Sequence, residues 1–146
     1  MQRVERSARI GAPPEAVFAF LADLDNLPSW QAGVTSATMT SGGEVGVGST
    51  ALVVRQLMGQ RIEAPLTITV YEPPHRLAIG SEVSGVHASA ELDLAPAERS
   101  ATDLRFAMEI RASGMTRFME PMIAGAAGGD IDASIQRVQE RFAESG

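Results

Sequence analysis

The sequence predicts an α+β fold, a seven-stranded antiparallel sheet wrapped around one long C-terminal helix, with two short helices after the first strand. Three observations carry the prediction. Ile131, Ile135, Val138 and Phe142 recur at i, i+4, i+7 and i+11, one face of an α-helix, and Asp132, Gln136, Arg137, Gln139, Glu140 and Glu144 fill the opposite face. Between Val34 and Ile110 the apolar residues recur instead at period two, in runs cut by glycine and proline turns. Paired as hairpins, these runs give mutually consistent inward faces. A helix from Pro121 to Ala143 would be roughly 35 Å long at ~1.5 Å per residue, so it needs a large apolar surface to lie on.

Arg3–Ile10 reads as a strand with Val4, Ala8 and Ile10 on one side. Arg6 shares their parity, which is costly unless it is paired or near an edge. Gly11-Ala12-Pro13-Pro14 ends that strand, and Pro14 and Glu15 suit the start of a short helix, Pro14–Ala22. Asp23–Asn26 is turn chemistry, and Asn26–Gln31 makes a second short helix. Strands follow at Val34–Thr40 and Thr50–Met58, then along Ile62, Ala64, Leu66, Ile68 and Val70. Pro73-Pro74 breaks the chain before a strand with Leu77, Ile79, Ser81 and Val83 inward. Ser84-Gly85 is a two-residue hairpin loop leading to Val86, Ala88, Ala90, Leu92 and Leu94. After a loop at Ala95–Ala101, Leu104, Phe106, Met108 and Ile110 close the sheet.

Register follows from parity. Pairing Val83 with Val86 sets Ile79 opposite Ala90 and Leu77 opposite Leu92. Pairing Leu94 with Leu104 sets Leu92 by Phe106, Ala90 by Met108 and, on the outer face, Asp93 by Arg105. The strand Thr50–Met58 admits two registers. A two-residue loop turns Ala51, Val53, Arg55 and Leu57 inward, and one more loop residue turns Leu52, Val54, Gln56 and Met58 inward. The second is preferred because it buries no arginine.

In the front of the long helix Phe118, Met119, Met122, Ile123 and Ala126 point away from the Ile131–Phe142 stripe, with Gly125, Gly128 and Gly129 between the two sets. Those glycines indicate either close packing on the sheet or a bend that leaves space for a ligand. Met115–Glu120 reads as a separate turn or a loose first turn.

Composition excludes several classes. Twelve basic against eighteen acidic residues give a net charge of −6, which argues against nucleic acid as a partner. No apolar run reaches ~18 residues and Met1–Pro14 has no apolar segment of signal-peptide type, so no stable membrane insertion is expected. With no cysteine there is no disulfide or thiolate chemistry, which fits a cytoplasmic setting. His75 and His87 stand without metal-ligand spacing, so no metal site and no cofactor are expected. Neither a nucleophile elbow nor a P-loop occurs.

Four stretches carry a family resemblance: Ser7–Phe18 (SARIGAPPEAVF), Leu24–Trp30 (LDNLPSW), Gly46–Thr50 (GVGST) and Val70–Leu77 (VYEPPHRL). In these the chain resembles the polyketide cyclase/dehydrase group of the SRPBCC superfamily. The resemblance implies a single helix-grip domain over residues 1–146, shared with START lipid-transfer domains and the major pollen allergen. It further implies binding of an apolar or aromatic small molecule, lipid or polyketide-like, in an internal cavity, with cyclase/dehydrase activity in some members. Others serve as chaperone cofactors, so a protein-interaction module is the alternative. The expected state is a monomer or homodimer.

The residues agree with a cavity. The inward set is small at Ala64, Ser81, Ala88 and Ala90, and a helix laid across small side chains leaves volume unfilled. Its rim is expected to carry Trp30, Met39, Met58, Met108, Phe118, Met122 and Ile123. Val54, Gln56, Leu66, Ile68 and Ile79 complete the expected ligand-binding set. Such a pocket is mostly apolar with few polar contacts. Gln56 or Arg55, with Ser81 and water, are the candidates for acid–base assistance, and catalytic residues are otherwise unassigned.

Overall fold

A computed structural model describes residues 2–57, 59–83 and 85–143. The order of elements is β1 (Gln2–Ile10), α1 (Pro14–Ala22), a 3-10 turn and α2 (Leu27–Trp30), then β2 (Val34–Met39) and β3 (Thr50–Leu57). β4 (Gln60–Glu72), β5 (Arg76–Val83), β6 (Val86–Ala97) and β7 (Ala101–Ala112) follow, and α3 (Glu120–Ala143) is the last element among the described residues. The seven antiparallel strands lie in the order β1-β7-β6-β5-β4-β3-β2, so β1 and β2 are the edges, and α3 lies across the inner face. This is the expected helix-grip architecture.

The expected registers hold from β5 to β7. Val83 pairs with Val86, Ile79 with Ala90 and Leu77 with Leu92. Leu94 pairs with Leu104, Leu92 with Phe106 and Ala90 with Met108. On the outer face Arg105 Nη2 donates to Asp93 Oδ2 at 2.8 Å, and Arg76 and Glu5 extend that row of opposite charges onto β5 and β1. Ser84 lies outside the described residues; its neighbour Gly85 has φ +79°, the left-handed conformation a tight hairpin asks of glycine. The expected loop at Ala95–Ala101 is mostly strand, because β6 runs on to Ala97 and only Glu98–Ser100 leaves the sheet.

The preferred register of β3 is corrected. Leu57 pairs with Gln60, a two-residue loop, so Ala51 meets Leu66 and Val53 meets Ala64. Ala51, Val53 and Arg55 therefore turn toward α3, while Leu52 is 41% exposed and Gln56 is exposed on the other face. One further parity shifts. A bulge between Ile68 and Val70 brings Tyr71 inward, where its ring meets Phe18 edge-on at 5.4 Å.

Arg6 satisfies its inward parity as expected of a paired edge residue: its Nε donates to Asp132 Oδ1 of α3 at 3.0 Å. α3 itself runs unbroken through its glycines. Its buried side is one stripe of Glu120, Ile123, Ala124, Ala127, Gly128, Ile131, Ser134, Ile135, Val138 and Phe142. The two apolar sets of the helix are thus not two directions of one stripe. Ile123 belongs to the buried face, joined to Ile131 by Ala124, Ala127 and Gly128, whereas Phe118 and Met122 face solvent at 89% and 61% exposure. A Cβ on Gly128 would lie 3.6 Å from Val4 Cγ1, ordinary contact, and one on Gly129 would meet nothing.

The core is solid behind the C-terminal half of α3. Phe20 packs edge-on to Phe142, and Arg141 stacks over the Phe20 ring at 4.9 Å. Ile10, Leu21, Leu24, Leu27 and Leu104 fill the space around them. Behind the N-terminal half the stripe carries alanine and glycine, and there the interior opens.

Candidate functional site

A cavity of about 550 Å3 lies between the sheet and the front half of α3. It runs toward the end of the fold where the β3–β4 and β5–β6 hairpins and the start of α3 come together, since Gln60, Arg61, Val83, Val86 and Met119 line it. Its volume follows from the residues that face it. Ala64, Ala88 and Ala90 from the sheet and Ala127 from the helix put methyl groups where larger side chains would meet. Val53, Leu66, Ile79, Phe106, Met108, Ile110, Ile123 and Ile131 supply the apolar walls. Arg61 and Glu63, exposed at the rim, pair with each other at 3.3 Å.

One region of the wall is polar. Gln56 N donates to Gly33 O at 2.7 Å, which lays the Gln31–Gly33 segment against β3 beside Arg55. On its other side Ser134 Oγ of α3 accepts from Ala32 N at 2.8 Å and donates to Asp130 O at 2.6 Å. Gly33 has φ +87° and a Cβ there would come 3.2 Å from Gln56 O, so laying this segment against β3 asks for glycine. β3, the segment after α2 and the middle of α3 thus converge, and Arg55, Gln31, Asp130 and Ser134 all line the cavity there.

The charges in this region are uncomfortable. Burial holds the Arg55 guanidinium below its ordinary pKa, and Asp130 opposes that shift. Burial raises the Asp130 carboxyl above its ordinary value, against the pull of Arg55 and Arg137. Arg55 and Asp130 attract across the cavity without an ion pair or side-chain hydrogen bond between them. Gln31 is 5% exposed and its Oε1 accepts no hydrogen bond; Trp30 Nε1, equally buried, has no acceptor.

Of the residues expected at the site, Leu66, Ile79, Ser81, Ala88, Ala90, Met108 and Ile123 line the cavity. Trp30 and Ile68 are buried outside its wall; Trp30 stands edge-on to Phe106, which does line it, with ring centroids 6.2 Å apart. Met39 packs at the margin of the core on β2. Val54 and Gln56 sit on the outer parity of β3, as the corrected register requires. Phe118 and Met122 stand in solvent beside Met119 and Ile123. Met58 lies outside the described residues. Gln31, Asp130 and Ser134 were not anticipated. A signal for the last two existed, since both fall within one turn of Ile131, on the side of the helix that meets the sheet.

Among the described residues no group of three acidic or histidine side chains is placed to hold a metal, and His75 and His87 are exposed. No helix among them is long and apolar enough to cross a membrane.

Residues 1–143 match the family described as polyketide cyclase/dehydrase and lipid transport. The chain belongs to this family. Curated proteins yield no sequence match. Solved structures share its fold at low identity. A START superfamily protein from Mycobacterium smegmatis is 11% identical with a TM-score of 0.82, 99% of each chain being covered. The Zhui aromatase/cyclase from Streptomyces sp. R1128 is 16% identical with a TM-score of 0.81, covering 97% of this chain and 93% of that one. A conserved protein from Geobacillus kaustophilus is 21% identical with a TM-score of 0.76, covering 99% and 97%. The chain shares its fold with START superfamily and aromatase/cyclase proteins.

Proposed function

We propose that this protein binds an apolar or aromatic small molecule, lipid or polyketide-like, in the cavity beneath the front half of α3. The observation that carries the reading is the cavity itself, whose volume of about 550 Å3 suits a small-molecule site and whose walls are apolar over most of their area. Family membership supports the same class of ligand. On a flexible polyketide-like chain, a cavity of this shape would favour cyclisation by holding reacting carbons together, an effect of entropy rather than of a reactive side chain. The net charge of −6 fits a small-molecule partner rather than nucleic acid, and the reading takes the protein as a cytoplasmic monomer or homodimer.

Native mass spectrometry of freshly purified protein, followed by titration with fatty acids, flavonoids and polyketide mimics, tests this. Trp30 is the only tryptophan and reaches the cavity through Phe106, so its emission should change saturably at micromolar ligand. No adduct and no saturable change across the panel would defeat the reading.

A further inference from the structure

We propose that the solvent-facing side of the front half of α3 is an interface between two copies of this chain, packed antiparallel about a twofold axis. Phe118, Met122, Gly125 and Gly129 recur at i, i+4, i+7 and i+11, a second helical stripe beside the buried one. Phe118 stands in the 3-10 turn Gly114–Met119 that leads into the helix, and it and Met122 are the large apolar side chains left in solvent there. The other two members are glycines inside a helix, which weaken it relative to alanine. A Cβ at either would meet nothing within 4 Å, so among the described residues no packing contact asks for them. Met119 and Ile123, from the same turns, line the cavity, so this face borders its mouth.

What covers the stripe follows from its order and its charge. Along the chain it reads large, large, small, small. A second copy turned end over end sets Phe118 on the partner's Gly129 and Met122 on the partner's Gly125, and the twofold axis makes each contact twice. A parallel pair would set ring against ring and glycine against glycine, so the antiparallel one alone fills every gap. Bare glycine backbone lets the two helices come close enough for the large side chains to seat. The face is also uncharged. From Phe118 to Gly129 the one ionisable residue is Glu120, which is buried and accepts from Ala112 N. At a net charge of −6 two copies repel over most of their surface, so an uncharged face is where they can meet. The rear half of α3 exposes Asp132, Arg137 and Glu140 instead. With Pro121 and Ala126 beside the stripe, the pair would bury on the order of 1,000 Å2 in total, the lower end for a specific interface, which sets its affinity in the micromolar range.

Sedimentation velocity of the full chain between about 1 and 100 μM should show a monomer–dimer equilibrium. Phe118→Ser should raise the dimer Kd at least ~10-fold. Gly125→Gln is the sharper variant, because it puts a better helix former into open space. Its Tm at about 1 μM should equal or exceed the parent's while its Kd rises at least ~10-fold. Gln136→Ala, on the charged half of the helix, should leave the Kd unchanged. Register is read by crosslinking, since the chain has no cysteine of its own. Met122→Cys mixed with Gly125→Cys should give disulfide-linked dimers on oxidation faster than either variant alone. That pattern supports the interface. A chain that stays monomeric at about 100 μM overturns it, as does a dimer that Phe118→Ser and Gly125→Gln both form as tightly as the parent. Fastest crosslinking of Met122→Cys with itself overturns the antiparallel packing. None of these results depends on what the cavity holds.

Discussion

Replacing Ala90 by phenylalanine separates a hollow interior from a packed one. Ala90 is buried on β6 between Ile79 and Met108, and its methyl group faces the cavity. A cavity of about 550 Å3 is within the size of small-molecule sites, so it has room for an aromatic ring. Burying that ring contributes about 1.5–3 kcal/mol. Forcing it into a filled core would instead cost ~1–3 kcal/mol. Some of the gain is lost in fixing the rotamer and drying the polar wall, so Ala90→Phe should shift the stability by no more than about 1 kcal/mol in either direction. In a chain of 146 residues that corresponds to roughly 2–4 °C in Tm. Urea unfolding followed on Trp30 gives the stability, and titration with 2-naphthol gives the affinity, which should fall at least ~10-fold because the ring takes the ligand's place. A variant destabilised by more than about 2 kcal/mol that binds as tightly as the parent would show that Ala90 is core and that the ligand, if any, sits elsewhere.

Two further substitutions probe the helix that roofs the cavity. Gly129 lies inside α3 with open space where a Cβ would go, so Gly129→Ala should stabilise by about 1 kcal/mol in urea unfolding; destabilisation would mean that the position needs glycine for a reason the packing does not reveal. Asp130→Asn addresses the raised carboxyl. Its folded pKa lies above its unfolded value, so the ionised form is penalised in the fold, with Arg55 and Arg137 only partly offsetting burial; the penalty is present above the folded pKa and gone below the ordinary value of 3.8. The asparagine variant should therefore melt higher than the parent at neutral pH, with the difference vanishing at about pH 3, and a variant that melts lower at neutral pH would show the Arg55 attraction to be the larger effect.

Much of the fold was legible because its rules are local and mutually constraining. The β5–β6–β7 registers followed from parity alone, since Ile79, Ala90 and Met108 must share a face, and a one-residue slip would have turned all of them into solvent. α1 was legible to its ends from Pro14 and the turn at Asp23. What escaped was set by events that parity does not report. The bulge after Ile68 exchanged Val70 for Tyr71, and nothing in the alternating run marks it. On α3 the large side chains drew attention to Phe118 and Met122, whereas Ala124, Ala127 and Gly128 carry the buried stripe. Small residues register weakly in a hydrophobic pattern, yet here they are both the continuity of the helix face and the source of the cavity.

The polar end of the site was missed for a related reason, and the error is instructive. The choice between Arg55 and Gln56 as the inward residue of β3 turned on one loop residue, and it was decided by the rule that arginine is not buried. That rule describes side chains that lose water and gain nothing. It has less force where the facing residues are alanines, because an interior that stays hollow can keep an arginine partly hydrated or hand it to a ligand. Arg55 pairs across the sheet with Ile62 and Val34, in a strand whose inward neighbours are Val53 and Ala51. A lone arginine on an otherwise apolar parity, opposite a helix whose facing turn holds Asp130 and Ser134, carries an electrostatic cost that close packing would not repay. Such a cost at the wall of a cavity is the pattern by which binding sites depart from the folding rules that hold elsewhere in the chain. The inward charge was therefore evidence for the site rather than against the register.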